Sequence, residues 1–411
     1  MKHKLLYVWL QQALGLYNRF AGEIFARFGS IEEIYNCDDF SFLGEQRAKY
    51  IKRLESKDTT SAFETVKRCE AIGASITGFY DGLYPEKLRH IEMPPVVLYS
   101  IGNLKDLNKI PCIAIVGTRK MTDYGREITE TFAYNFAKSG ACVVSGLAKG
   151  VDTAAHRGAV MADGYTVAVL GNPIGDIYPR ENEKAFETLY RCGLVLSELY
   201  PGAPRTKADF PNRNRIISGL SDAVVIAEAG ENSGALITAR HAITQGKAVY
   251  AVPGAIGAEN AGTNRLIKTG VAAATEPFDV ISPLSLEYPE SIKIYQPSMT
   301  RKLRSYGNAP AAERPDPVPK SAKRVKQEQP EPPKEKATPK EAEPFHKEAQ
   351  ATANASQRIL AVLKGYKPLS ADEISVATGI GITEVMTELT LMEIDGSIIS
   401  CVGGRFTASK F

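Results

Sequence analysis

Between Pro111 and Ile281 short apolar runs alternate with stretches of helical spacing, and this alternation restricts the fold more than any other feature of the chain. The runs are Cys112 to Val116, Ala141 to Val144, Val167 to Leu170, Leu194 to Ser197, Val224 to Ala227 and Ala248 to Val252. Each reads as a strand buried on both faces, and strands that alternate with helices build a parallel sheet covered on both sides. The helices are expected from about Tyr124 to Lys138, through Ala154 and His156, and near Glu181 to Arg191 and Gly234 to Gln245. Ligands of such sheets bind outside the carboxyl ends of the strands, so the loops there carry the functional argument.

The first strand breaks at Gly117-Thr118-Arg119, where glycine permits a tight turn beside a ligand and the arginine reaches an anion. The second breaks into Ser145-Gly146-Leu147-Ala148-Lys149-Gly150, another small-residue loop with a cation. A third element, Lys207-Ala208-Asp209-Phe210-Pro211-Asn212-Arg213-Asn214-Arg215, places Asn212, Arg213 and Arg215 in the first turn of a helix, with a lysine just upstream. A helix N-terminus that carries arginines is an anion site by geometry and charge together. The competing reading, a solvated basic turn, is weakened by Ile216 and Ile217, which imply packing against a core.

Other chemistries find little support. No Gly-x-Gly-x-x-Gly follows a strand, and Gly246-Lys247-Ala248 lacks the remaining residues of a P-loop. Asp152 and His156 share a helix face and have the spacing of an acid/base pair, although a capping aspartate and a packed histidine is the commoner outcome. The same discount applies to His241. Glu198 and Glu228 follow strands and either face the pocket, hold loop amides or pair with arginines. No spacing of metal ligands occurs. Tyr178 and Phe210 are the nearest aromatic residues for base stacking, with a core role as the alternative.

The flanks differ in character. Residues 1–75 carry helical periodicity (Leu5, Val8, Trp9, then Ile24, Phe25, Phe28) and read as a small helical domain for docking or dimer support. Pro94-Pro95 before Val96 to Tyr99 suggests an edge strand leading into the sheet at 80–290. Residues 295–354 interleave proline with lysine and glutamate, the composition of a disordered linker, with a basic cluster at Lys320, Lys323, Arg324 and Lys326. Residues 355–411 have the order helix, helix, turn, helix and hairpin of a winged helix. Its third helix offers Glu384, Glu388 and Glu393 without Lys or Arg, which favours protein contact over reading of a major groove.

A net charge of +3 over 411 residues confines any nucleic-acid affinity to a local patch. The six cysteines are scattered without a close pair and most of them read as free buried thiols, so a reducing cytoplasm is expected. No run reaches the roughly 18 apolar residues of a membrane span.

Taken together, Ile115-Val116-Gly117-Thr118-Arg119 with Tyr124-Gly125, Ser145 to Asp152 with Ala155-His156, and Phe210-Pro211-Asn212-Arg213-Asn214-Arg215 resemble the DNA-processing protein A (DprA, or Smf) family. Tyr178-Pro179, Ser197-Glu198, Ser233 to Ala239 and Val252-Pro253-Gly254 add to the resemblance, while Gly171-Asn172-Pro173-Ile174 departs from a more glycine-rich turn usual there. The resemblance implies an extended Rossmann-like, doubly wound, mostly parallel sheet, with an N-terminal helical (SAM-like) domain and a C-terminal winged helix. It implies a cytoplasmic recombination mediator that binds and protects single-stranded DNA during natural transformation and loads RecA. It further implies a homodimer, no cofactor, no metal and no catalytic turnover, with single-strand-binding protein as a further expected partner. By match of motif, Gly117, Thr118, Arg119, Ser145, Gly146, Lys149, Gly150, Lys207, Asn212, Arg213, Arg215 and Arg265 would line the DNA site. The alternative is a nucleotide phosphoribohydrolase on a related sheet, which calls for a Gly-Gly-x-Gly-Thr loop and a catalytic glutamate where this chain has Gly230-Glu231-Asn232-Ser233-Gly234. A transcription regulator acting through the winged helix is a third reading, weakened by that helix's acidic face.

Overall fold

Side chains alternate across a strand, and in the central strand they enter two different cores. Cys112, Ala114 and Val116 join one apolar cluster, Ile113 and Ile115 the other. The computed structural model describes residues 2–178, 182–294, 356–363, 369–394, 398–401 and 405–408. The linker expected at 295–354, with its basic cluster, lies outside the described residues.

The strands of the larger unit are β1 (Ser75–Gly78), β2 (Val97–Gly102), β3 (Cys112–Gly117), β4 (Cys142–Ser145), β5 (Thr166–Leu170), β6 (Leu194–Ser197), β7 (Ala223–Glu228), β8 (Ala248–Ala251) and β9 (Ala272–Ala273). They form one sheet in the order β1-β2-β6-β5-β4-β3-β7-β8-β9. From β6 to β9 every pairing is parallel; β2 pairs antiparallel with both β1 and β6. The segment read as an edge strand is therefore second from the edge. The outermost position belongs to Ser75-Ile76-Thr77-Gly78, too short and too polar to announce itself. A second correction concerns the thiols: Cys112 and Cys142 are register partners across β3 and β4, since parallel neighbours bring together residues far apart in sequence.

On one face of the sheet lie α7 (Asp123–Lys138), α8 (Val151–Met161) and α13 (Phe278–Glu287); Phe132, Phe136, Val151, Ala155 and Ile281 fill the core there. The other core takes in α9 (Glu183–Cys192), α10 (Asp209–Leu220) and α11 (Ala235–Thr244). It also takes in the amino-terminal helices, α1 (Lys2–Leu14), α2 (Ala21–Arg27), α3 (Ile31–Asn36), α4 (Ala48–Ser56) and α5 (Thr60–Ala71). Short α6 (Glu86–Arg89) and α12 (Ala261–Lys268) complete the unit. Helix α1 is buried along most of its length, and its Gln11 bridges to the sheet. Gln11 Nε2 donates to Glu198 O at 2.9 Å, and Tyr99 OH donates to Gln11 Oε1 at 2.8 Å.

The second unit is described by itself. It comprises α14 (356–363), β10 (Leu369–Ser370), α15 (Ala371–Thr378), α16 (Ile382–Ile394), β11 (Ile398–Cys401) and β12 (Arg405–Ala408), with strand order β10-β12-β11. A capping box joins Ser370 and Glu373 at the start of α15, and Gly379 ends that helix in the left-handed conformation. Ile359, Leu363, Ile374, Val385, Leu389 and Met392 form its core. Of the three glutamates expected to make α16 acidic outside, Glu384 is exposed, whereas Glu388 turns inward and accepts from Ser356 Oγ at 2.5 Å. The side chain of Glu393 lies outside the described residues.

The docking of α1 depends on a residue without a side chain. A Cβ on Gly78 would lie 2.1 Å from the Tyr7 ring, whose hydroxyl accepts Tyr80 N at 3.0 Å. Gly78→Ala is expected to lower the unfolding free energy by about 1–3 kcal/mol, read by urea denaturation; an unchanged midpoint would show that Tyr7 moves aside freely.

Candidate nucleic-acid interface

Strand β3 has β4 on one side and β7 on the other, so the connections on its two sides diverge and leave a crevice above the carboxyl ends. A cleft of about 530 Å³ occupies it. Gly117 ends β3 with Thr118 and Arg119 after it, Ala148 and Asp152 follow β4, and Gly230, Asn232, Ser233 and Gly234 follow β7; Phe210, Arg213, Asn214 and Ile217 close the cleft from α10. Positions 210, 213, 214 and 217 lie on one helical face, which is why α10 supplies them together.

The loops are held from both sides. Thr118 N donates to Glu228 O (2.8 Å) and Val151 N to Thr118 O (3.2 Å), tying the β3 loop to β7 and to the start of α8. The Glu228 carboxylate accepts Thr122 N at 3.0 Å, and Thr122 in turn caps α7. Gly150 has φ +89°, and a Cβ there would stand 2.4 Å from Thr118 O. At Gly146 a Cβ would stand 2.3 Å from Arg213 Nη1, so the arginine occupies the space a side chain would take.

Arg213 is 6% exposed. Its Nη1 donates to Gly146 O at 2.7 Å and to Val169 O, which orients the guanidinium toward the loop after β4. Burial lowers its pKa, Asp152 opposes that shift, and the nearby Arg119 adds to it by like-charge repulsion. Asp152 is equally buried; burial raises its pKa, against the pull of Arg213 and of the amides of Ala148, Gly117 and Gly146. Two cations thus converge on a cleft that offers them one hindered carboxylate. An anion placed there relieves the repulsion.

The other residues expected at the site are spread more widely. Ser145 is buried and donates through Oγ to Ile115 O (2.6 Å), a scaffold bond beneath the cleft. Lys149 and Lys207 are exposed on the adjoining loops without lining the cleft. Asn212 is half-buried outside the lining, and Arg265 is exposed on α12 in a 3.5 Å contact with Glu231. Arg215 is placed differently from the expectation. Its side chain is 3% exposed and bonded through Nη2 to Glu198 Oε1 at 2.7 Å, because residues two apart on a helix point to opposite sides. It anchors α10 and meets no solvent in the cleft. Asn214, Asn232, Ser233 and Thr238 also line the cleft; the sequence motifs contained them without assigning them to the site, and the run Ser233-Gly234-Ala235 after a strand was the available signal.

The carboxylate and histidine questions resolve on geometry. His156 Nδ1 lies 2.7 Å from Thr166 Oγ1 in the core, and burial lowers its pKa to about 3, so it forms no acid/base pair with Asp152. Glu198 pairs with an arginine and Glu228 holds a loop amide. Among the described residues no three His, Cys, Asp or Glu side chains are grouped to hold a metal ion, and no helix is long and apolar enough to cross a membrane.

Residues 75–285 match the family model described as DNA recombination-mediator protein A, and residues 330–404 match the DprA winged helix domain. The chain is 34% identical over 331 residues to Protein Smf of Synechocystis sp., covering 79% of this chain and 77% of that protein. It is 38% identical over 211 residues to DNA processing protein DprA of Bacillus subtilis, covering 50% and 71%. The X-ray structure of DNA processing protein A from Streptococcus pneumoniae superposes with a TM-score of 0.56 at 33% identity, covering 67% of this chain and 97% of that one.

Two stability outcomes separate scaffold from site. Arg215→Ala leaves Glu198 buried without its partner and is expected to cost about 3–5 kcal/mol, whereas Arg119→Ala changes the unfolding free energy, read by urea denaturation, by no more than about 0.5 kcal/mol. His156 protonates near pH 6.5 when unfolded and only near 3 when folded, so its contribution is complete above 6.5 and is lost as pH falls. Wild type should lose about 1.4 kcal/mol per pH unit below that point more steeply than His156→Gln; parallel stability curves would overturn the assignment.

Proposed function

This chain belongs to the DNA recombination-mediator protein A family, and on that footing we propose that it grips single-stranded DNA by its sugar-phosphate backbone in the cleft above β3. The observation that carries the proposal is the convergence of Arg119 and Arg213 on one crevice, where Arg119 adds to the cost of the buried Arg213 charge and an anion would offset it. Gly117 and Thr118 bring backbone close to the strand, and Gly146 and Gly150 let the neighbouring loop and the arginine fit together. Lys149 and Lys207, exposed on adjoining loops, extend the positive rim for phosphates entering or leaving, and Arg265 does so beyond Glu231.

As a mediator the protein holds the strand chemically unchanged, protects it during natural transformation, and passes it to RecA in the cytoplasm. It works as a homodimer, with single-strand-binding protein as a further partner. Arg215 and Ser145 serve this function indirectly, by fixing α10 and the floor of the cleft.

The test is a salt titration of oligo-dT binding by fluorescence anisotropy. Arg119→Ala and Lys207→Ala should each weaken binding and lower the slope of log affinity against log salt by about 0.7, the counterions of one phosphate on a single strand. Unchanged affinity and slope in both variants would refute the placement.

A further inference from the structure

Outside the cleft an arginine and an aromatic ring continue the line begun by Arg119. The Arg119 guanidinium lies 5.8 Å from the centroid of the Phe210 ring. Phe210 lies 5.9 Å from the Tyr178 ring at an interplanar angle of 49°. Arg205 sits over the far ring, 4.6 Å from the Tyr178 centroid. The four side chains form a continuous series, cation, ring, ring, cation, that starts in the cleft and ends on the surface.

Neither outer member is explained by packing. Tyr178 is 46% exposed, so its ring is no part of the core. Arg205 is exposed and forms no ion pair among the described residues. The loop that carries it is nevertheless fixed: buried Asp209 accepts Thr206 N at 2.5 Å, Thr206 Oγ1 at 3.0 Å and Tyr17 OH at 2.9 Å. That anchor lies between Arg205 and Lys207 and holds both at the rim.

We propose that Tyr178 and Arg205 form a stacking and phosphate subsite for the nucleotides of a single strand as it leaves the cleft over Phe210. An exposed guanidinium resting on a ring is held by about 0.5–1 kcal/mol, while a base stacked on an aromatic side chain gains about 1–3 kcal/mol. A base therefore displaces Arg205 from the Tyr178 face, and the freed guanidinium takes the adjoining phosphate. Bases are recognised there by their faces, so the subsite is indifferent to sequence. The subsite rests on the cleft reading given above, because it needs the strand to be delivered by Arg119 and Phe210.

The experiment uses the full chain and a single strand of about 16 nucleotides carrying one 2-aminopurine, moved position by position. In the wild type one position should be quenched beyond those within the cleft. Tyr178→Ala should abolish that quench and weaken binding roughly 5- to 100-fold, and Tyr178→Phe, which keeps the ring, should restore both. Arg205→Ala should lower the salt slope by about 0.7 and leave the quench in place. If Tyr178→Ala and Arg205→Ala bind and quench as the wild type while Arg119→Ala loses affinity, the subsite is overturned and the cleft stands. If Arg119→Ala also binds as the wild type, the cleft reading fails and the subsite fails with it.

Discussion

With β4 and β7 on opposite sides of β3, the loops leaving those three strands must part, and the gap between them is the cleft that Arg119, Asp152 and Arg213 line. The sheet decides this before any side chain is considered. What the sequence adds is how the gap is lined: glycines where backbone passes close, Thr118 bonded to both neighbours, and a helix whose one face delivers Phe210, Arg213, Asn214 and Ile217.

A buried arginine that keeps its charge is costly to hold. Here the cost is met by two carbonyls, Gly146 O and Val169 O, and by a carboxylate that is itself short of solvent. The carbonyls aim the guanidinium, while Asp152 reduces the net charge without cancelling it, since Arg119 stands close by. Positive charge therefore remains in excess where Arg119 and Arg213 meet the cleft.

Much of this was legible in the chain. The six apolar runs gave the strands, because strands buried on both faces have no polar alternation to blur them. Two of the cationic loops were visible for the same reason, as Gly117-Thr118-Arg119 and Ser145 to Gly150 each end such a run. Four features were less accessible, for separate physical reasons. Strand β1 is held by its partner β2 and has almost no pattern of its own. The pairing of Cys112 with Cys142 is a matter of register, which no local window contains. Arg213 and Arg215 look equivalent when read as composition, yet a helix sends residues two apart to opposite sides, and which of them lines the cleft is settled only by the packing of α10. Phe210 and Tyr178 were nameable as aromatic residues, but their alignment with Arg119 and Arg205 exists only once α10 and its preceding loop are in place.

The buried amide of Gln11 has a reach beyond its own helix. By satisfying Glu198 O and Tyr99 OH it steadies the residue that clasps Arg215, and Tyr17 OH steadies Asp209 at the head of the same helix α10. The leading helices are thus a buttress for α10 and no detachable appendage. A truncation that began at the sheet would lay bare an oily wall around Tyr99 and leave the arginine helix propped on one side only. Drift in residues far from the cleft is therefore answerable to what happens inside it.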